Sequence, residues 1–397
     1  MDAPVTSPQP VKQTLQQRRR TWLVLLTLAL VLVALLVLAW WLRYARFYES
    51  TDDAYVSGDL VNVMSQVSGT VVAIGADETD RVQAGQELVR LDATDYRIAL
   101  QDSEQQLART VRQTHTVFAN RDQLIAVVSQ RRSDLAKTQS DFDRRKNLAA
   151  SGAVSGEELS HAQDALNAAR DALIAAQKNL AASVALVGRT GVADNPDVQA
   201  AATQVERAWL NVVRTSVRAP VTGYVARRSV QLGERISPGQ APLLAIVPLE
   251  RVWIDANFKE VQLNRMRIGQ PVKVVADLYG GHVEYHGRVE GLGMGTGAAF
   301  ALLPAQNATG NWIKVVQRVP VRITLDPQQL RQYPLRIGLS TDATVDVHDT
   351  GGVQLAQSAP TQPVLATSTY DVDRSEIRAR IAQIIRENTL EDSPSGK

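Results

Sequence analysis

The strongest constraint on this chain is a short sequence that occurs twice, far apart. Val67-Ser-Gly69-Thr-Val71 returns as Val221-Thr-Gly223-Tyr-Val225, and Arg81-Val-Gln-Ala-Gly85-Gln86 returns as Arg235-Ile-Ser-Pro-Gly239-Gln240. Both pairs are 154 residues apart, with no gap. One block can match by chance; two in one register make a repeat. Each copy reads as short strands: an apolar run, a glycine, alternation, then a Gly-Gln turn before a second apolar run at 88–91 or 243–246. Glycine at such a turn tolerates positive φ. About thirty residues cannot bury a two-sided core alone. The copies are therefore expected to close on each other as the halves, 49–92 and 217–248, of one small β-sandwich.

Residues 93–216, between the copies, are rich in Ala, Gln, Arg, Asp and Leu and contain no proline before Pro196. Helix formers dominate. In the first arm Leu100, Leu107, Val111, Phe118, Ile125, Val128, Leu135 and Phe142 keep a three-or-four spacing. In the second, Leu159, Leu166, Leu173, Leu180 and Val187 fall every seventh residue, and Ala162, Ala169 and Ala176 follow successive leucines by three. That is a heptad seam with small residues on one side, which lets two helices approach closely. Gly152 can stop one helix, and Ser155 can cap the next with Glu158 completing a capping box. The expectation is a long antiparallel coiled-coil hairpin. Its first arm of about 55 residues would extend roughly 80 Å. The return arm breaks at 188–196 and resumes as a shorter helix carrying Val198, Ala202, Val205, Trp209 and Val212. A dimerising coiled coil would show a similar seam. The flanks argue against it, because a hairpin whose ends feed two halves of one β-domain is a projection held at its base.

From Thr21 to Leu42 no residue is charged, and Leu and Val dominate. A bilayer core of about 30 Å needs about 20 helical residues, so 21–42 reads as one transmembrane anchor. It exceeds the roughly 7–15 apolar residues of a signal peptide, and no small-x-small cleavage pattern follows it. Trp22 at one end and Trp40, Trp41 and Tyr44 at the other match an interfacial aromatic belt. Lys12, Arg18, Arg19 and Arg20 precede the run; Arg43 and Arg46 follow it but are offset by Glu49, Asp52 and Asp53. The positive-inside rule then places residues 1–20 in the cytoplasm as a tail and 43–397 outside. One span contains no transport pathway of its own.

Residues 249–349 are patterned as short strands at 252–254, 271–275, 315–316, 319–325 and 343–347, separated by Gly, Pro and Asp. Short antiparallel strands that must avoid free edges suit a closed β-barrel, with one helix at 259–263. Residues 350–397 read as a Ser/Thr/Pro/Gln linker to 372, then an amphipathic helix from Asp373. Its Ile377, Ile381, Ile384 and Ile385 share one face. That face can pack on its own chain or on a partner. The fold class is thus α+β and elongated: a transmembrane helix, a split β-sandwich, a helical hairpin and a β-barrel.

Chemistry is harder to find. Forty-three Lys+Arg against 41 Asp+Glu leave a net charge of +2, without the basic excess of a nucleic-acid protein. The absence of cysteine removes disulfides, thiolate metal sites and cysteine nucleophiles. His282, Glu284 and His286 alternate and would share one strand face, but no further ligand is near in sequence, and a solvated face accounts for them. The glycine-rich stretch 291–297 is not followed by Lys-Ser/Thr, as a phosphate loop requires, and reads as a strand connection. Asn307-Ala-Thr309 fits a glycosylation sequon, a pattern of only three residues. No Ser/His/Asp grouping or carboxylate pair has a catalytic context. The expectation is a protein that is not an enzyme and uses no cofactor or metal.

The two β halves resemble a biotinyl/lipoyl domain. Carrier enzymes display a modified lysine between such halves; here residues 93–216 replace that hairpin, and no lysine lies near Asp92 or Ser216. Taken in order, the anchor, the half-domain, the helical hairpin, the second half and the barrel resemble the periplasmic adaptors of Gram-negative efflux pumps. These are the membrane fusion proteins of the hemolysin-secretion-D type. Thr51-Asp-Asp-Ala-Tyr-Val56, Val217-Arg-Ala-Pro-Val-Thr-Gly-Tyr-Val225, Asp255-Ala-Asn-Phe-Lys-Glu260, Asn307-Ala-Thr-Gly-Asn-Trp312, Lys314-Val-Val-Gln-Arg318 and Gly338-Leu-Ser-Thr-Asp-Ala343 are similar to the multidrug-resistance members. The resemblance implies an inner-membrane, single-pass subunit of a tripartite pump, working with a major-facilitator drug–proton antiporter and a TolC-type outer-membrane channel. It also implies assembly of several copies and export of amphipathic toxicants. In the family an Arg, a Leu four residues on and a Ser seven after that dock the hairpin tip onto the channel. Arg144, Leu148 and Ser155 reproduce this spacing at the expected turn. A charged donor, an apolar knob and a small hydroxyl make physical sense there. Leu148 could equally close the seam and Ser155 only cap.

The same plan would serve a type I protein-secretion adaptor paired with an ABC transporter, although the six stretches above argue for the drug pump. A membrane-tethered sensor would need a cytoplasmic output, and about twenty residues before the anchor offer none. A lipoyl carrier would need a modified lysine.

Overall fold

The computed structural model describes residues 13–150, 152–188, 191–297, 299–300 and 316–389. The stretch 307–312, with Lys314 and Val315, lies outside them, and so does the sequon. In chain order the elements begin with α1 (Gln13–Arg43) and the strands β1 (Tyr48–Ser57), β2 (Val61–Val63), β3 (Gly69–Ile74), β4 (Arg81–Val82) and β5 (Glu87–Leu91). Three helices follow: α2 (Thr94–Ala149), α3 (Gly156–Val187) and α4 (Pro196–Val213). Then come β6 (Ser216–Arg218), β7 (Gly223–Arg228), β8 (Arg235–Ile236), β9 (Leu244–Val247), β10 (Trp253–Lys259), β11 (Pro271–Ala276), β12 (Glu284–Leu292) and β13 (Arg318–Leu325). The last three are α5 (Pro327–Gln332), β14 (Ser340–Asp346) and α6 (Ser375–Thr389). They form two compact units.

The first unit holds α1 and the barrel. α1 contains the apolar stretch within Trp22–Phe47, of mean hydropathy 3.0 and with none of its surface buried in protein. It is long and apolar enough to cross a membrane. The barrel closes in the order β1-β10-β13-β12-β11-β14, with every neighbouring pair antiparallel. Its strands alternate because their inner faces are apolar: Ile254, Ala256 and Phe258 on β10 point inward with Val321 and Ile323 on β13 and Ala343 and Val345 on β14. Asp326 accepts from the Gln328 N–H at 2.9 Å and Pro327 fills the first helical turn, so α5 starts there and buries Leu330 against the core.

Three expectations change here. Tyr48–Ser57, read from the sequence as part of the first sandwich half, is the barrel's sixth strand, paired to β10 on one side and β14 on the other. Without it those two strands would keep open edges. The helix expected at 259–263 is a 3-10 turn over Glu260–Arg265. His282 lies in a separate 3-10 turn, Gly280–His282, so it does not share a strand with Glu284 and His286. Glu284 instead meets Lys273 at 2.8 Å across β11 and β12. The Lys273 ammonium holds the Glu284 carboxyl below its usual range.

The second unit holds the helices and most of the repeat. The strands of the two copies interleave. One sheet runs β2-β9-β7-β4 and the other β6-β5-β3-β8, so each takes two strands from each copy. Shifting the first copy onto the second carries β3 onto β7 and β4 onto β8 residue for residue. It also carries one sheet's strand order onto the other's. Hydrogen bonds repeat as well. Val71 donates to Glu234 O and accepts from Gly233; Val225 donates to Asp80 O and accepts from Thr79, all at 2.8–2.9 Å. Neither copy can satisfy its strands without the other.

Between them α2 and α3 form the antiparallel pair. Leu107, Val111, Thr114, Phe118 and Val128 are buried on α2, with Ala162, Leu166, Ala176 and Val187 on α3. Ile125 is an exception to the expected seam and is half exposed. Asn195 accepts from the Asp197 N–H at 2.9 Å and restarts the helix as α4, with Pro196 in its first turn. α4 buries Val198, Ala202 and Val205. α6 lays Ile377 and Ile384 into the groove between α2 and α4, with Ile381 and Ile385 beside them.

Candidate docking site at the hairpin turn

The two arms exchange direction within six residues. α2 ends at Ala149; Gly152 adopts φ +77°, its N–H reaches Ala149 O at 3.0 Å, and Ala153 N–H reaches Leu148 O at 3.1 Å. These bonds close the last turn, and the left-handed glycine reverses the chain. Ser155 then caps α3. Its Oγ accepts from the Glu158 N–H at 3.2 Å, while Glu158 Oε2 accepts from the Ser155 N–H at 3.0 Å. The backbone bond from Ser155, then its hydroxyl, hold the Glu158 carboxyl below its usual range.

Arg144, Leu148 and Ser155 therefore stand around one turn. Arg144 and Leu148 are four residues apart on α2 and share a face. Arg144 is exposed and touches Asp141 at 3.4 Å; Arg145 meets the same carboxylate at 3.5 Å. A solvated pair of this kind holds its guanidinium weakly, so Arg144 can re-aim at a carboxylate on a partner. Leu148 keeps 44% of its surface in solvent, which leaves an apolar side chain open at the turn. Ser155 does cap, and its side chain is exposed as well. Arg144, Arg145 and Lys146 sit on the C-terminal turns of α2, and Glu157 and Glu158 on the first turn of α3. Each set complements its helix dipole and gives the turn a basic and an acidic side. The turn therefore presents charge of both signs and an apolar side chain to solvent.

The base of the hairpin holds contacts that sequence reasoning did not pair. Arg380 of α6 grips Glu104 of α2 at 2.8 Å, and Arg374 grips Glu206 of α4 at 3.2 Å. The isoleucine stripe was visible in the sequence, but the groove that receives it was not. Among the described residues no cluster of three His, Asp or Glu is placed to hold a metal.

An apolar helix, a two-copy sandwich interrupted by a helical hairpin, and a closed barrel completed by the strand ahead of the sandwich make the architecture of a membrane fusion adaptor. Comparison with known proteins narrows the class. The α-helical hairpin domain of EmrA matches residues 94–215, and the AAEA-like β-barrel domain matches 251–348. The multidrug export protein EmrA of Escherichia coli K12 is 48% identical over 349 residues, 88% of this chain and 89% of its own. The fatty acid resistance protein FarA of Neisseria gonorrhoeae is 46% identical over 365 residues, 91% and 92% of the two chains. A solved structure of the periplasmic adaptor protein EmrA is 19% identical and covers 76% of this chain and 99% of its own, with a TM-score of 0.38. This chain belongs to the EmrA family of membrane fusion adaptors of multidrug efflux.

Proposed function

We propose that this protein is the periplasmic adaptor of a tripartite multidrug efflux pump, joining an inner-membrane major-facilitator antiporter to a TolC-type outer-membrane channel. The observation that carries the reading is the exposure of Arg144, Leu148 and Ser155 around one turn at the end of a 56-residue helix. In this reading residues 1–20 lie in the cytoplasm, 21–42 cross the inner membrane and the remainder is periplasmic. Residues 93–216 are the spacer, 249–349 with Tyr48–Ser57 form the barrel module, and several copies assemble, because one hairpin cannot enclose a conduit. The antiporter supplies the energy and this chain supplies reach and register. Amphipathic compounds are the cargo class, in keeping with a relative named for fatty acid resistance.

Replacing Arg144 and Leu148 together by Asp tests the reading. Drug resistance should vanish while expression and helix content stay unchanged, and cross-linking to the outer-membrane channel should vanish with it. Retained resistance and cross-linking would sink the docking site.

A further inference from the structure

We propose that the barrel rim next to the anchor is a docking surface for anionic phospholipid headgroups. The chain leaves α1 at Arg43, makes one 3-10 turn over Ala45–Phe47 and enters β1 at Tyr48. No linker intervenes. The headgroup layer extends several ångströms beyond the hydrocarbon, so the end of the barrel that begins with Tyr48 lies within it.

Three segments build that rim, all in the unit that contains α1. Val347 N–H donates to Phe47 O at 2.9 Å, and the Arg265 guanidinium donates to Arg46 O. Arg267 Nε reaches Thr350 O at 3.1 Å, and Gln270 Nε2 reaches Arg265 O at 3.0 Å and Asp349 O at 2.6 Å. At the centre the Phe47 ring stacks on His348 at 4.1 Å, with the guanidinium carbons of Arg46 and Arg265 at 4.6 and 5.1 Å from its centroid.

Two observations point to a lipid. First, Arg43, Arg46, Arg265 and Arg267 form no ion pair among the described residues. The carboxylates of the rim do not reach these guanidiniums: Glu49 accepts from Gln262 at 2.9 Å, Asp346 from the His348 N–H at 3.0 Å, and Asp349 from the Gly351 N–H at 2.8 Å. Lys259 and Glu260 add one charge of each sign. Second, Val261, in the 3-10 turn Glu260–Arg265 whose Arg265 reaches Arg46 O, is 81% exposed, and Tyr44 and Tyr48 at the exit of α1 are exposed as well. An apolar finger among unpaired arginines suits the boundary between headgroups and acyl chains. The occupant is the leaflet and not a protein, because the missing linker puts this rim against the bilayer in every copy. The inference stands apart from the identity of any transporter or channel.

Hydrogen exchange on the full chain tests it, in phosphatidylcholine nanodiscs with and without phosphatidylglycerol. Residues 260–268 and 346–353 should exchange more slowly in the anionic discs, by about fivefold for each engaged arginine. Arg46→Gln with Arg265→Gln should lose that difference, and the paired Lys replacements should keep most of it. Equal exchange of the unaltered chain in both discs overturns the proposal, and leaves the rim for a protein partner. Equal protection by inorganic phosphate in neutral detergent overturns it too, as a free-anion site. If the Gln variant loosens the rim even in detergent, Val261→Asp decides, since that side chain makes no rim hydrogen bond. It must lose the lipid-dependent protection, and retention overturns the proposal.

Discussion

Single residues show why the repeat is written as it is. Gly85 and Gly239, equivalent in the two copies, adopt φ of +85° and +76° with open space around them, so backbone freedom alone requires glycine there. Gly223 is kept for a different reason: a Cβ would sit 2.5 Å from Val247 O. Gly233 also adopts positive φ, at +82°, but its counterpart is Thr79 at +74°. A β-branched residue in that region is strained, and Thr79 is exposed. Thr79→Gly should therefore raise stability by up to about 1 kcal/mol, less the unfolded-chain entropy it adds; a thermal melt reads it, and a drop of similar size would refute the strain. Tyr285 gives the pH prediction. It is buried in the barrel, its hydroxyl donates to Tyr333 O at 2.9 Å, and burial first, then Tyr279 and Tyr333, push its pKa up from 10.0 to about 12. Below about pH 10 the phenol is neutral in both folded and unfolded chains, and its contribution is complete. Between 10 and 12 the unfolded chain loses its proton first, so barrel stability should fall with rising pH, by about 2 kcal/mol at most. Tyr285→Phe should abolish that alkaline loss in denaturant titrations.

At the scale of elements the two ends of the hairpin are held differently. The turn depends on Ser155. Ser155→Ala should cost about 1 kcal/mol of local helix stability, seen as faster exchange over 156–160, whereas Ser155→Asp keeps a capping oxygen. If Asp preserves the cap yet lowers resistance, the hydroxyl is read by the partner; if both variants resist normally, Ser155 only caps. The base depends on α6. Ending the chain at residue 373 uncovers Leu107, Val111 and Val205. Burial of each large aliphatic side chain is worth about 1.5–3 kcal/mol. Exchange along 100–112 and 198–209 should rise at least tenfold in that truncation, with the barrel strands unaffected; an unchanged hairpin base would show that α6 is dispensable.

At the scale of the molecule the repeat, the insert and the anchor were legible because each is a local pattern long enough to be read from spacing alone. A chain starting at Arg46 should be soluble and keep its barrel. One starting at Gly58 should not, because it lacks β1 and leaves β10 and β14 unpaired; far-ultraviolet circular dichroism and the thermal melt separate the two outcomes. The sequence places Tyr48–Ser57 beside the first repeat copy, and nothing in its alternation says which sheet it joins. β12 was equally unreadable, since its inward positions are Tyr285, Gly287 and Val289 among charged neighbours. The triad Arg144, Leu148 and Ser155 came from the family resemblance; spacing and turn chemistry by themselves located only the turn, through Gly152 and the Ser155 cap. The rim around Phe47 could not be read, because its two pairs of arginines, Arg43 with Arg46 and Arg265 with Arg267, are more than two hundred residues apart in sequence. By itself the sequence determined the anchor, the hairpin with its caps, and the existence of two half-domains, all properties of local period and turn chemistry. Tertiary structure alone decided which strand completes the barrel, how the two copies exchange strands, and where α6 lies. Those outcomes depend on which distant backbone edges and apolar faces satisfy one another, and no short stretch of residues encodes that.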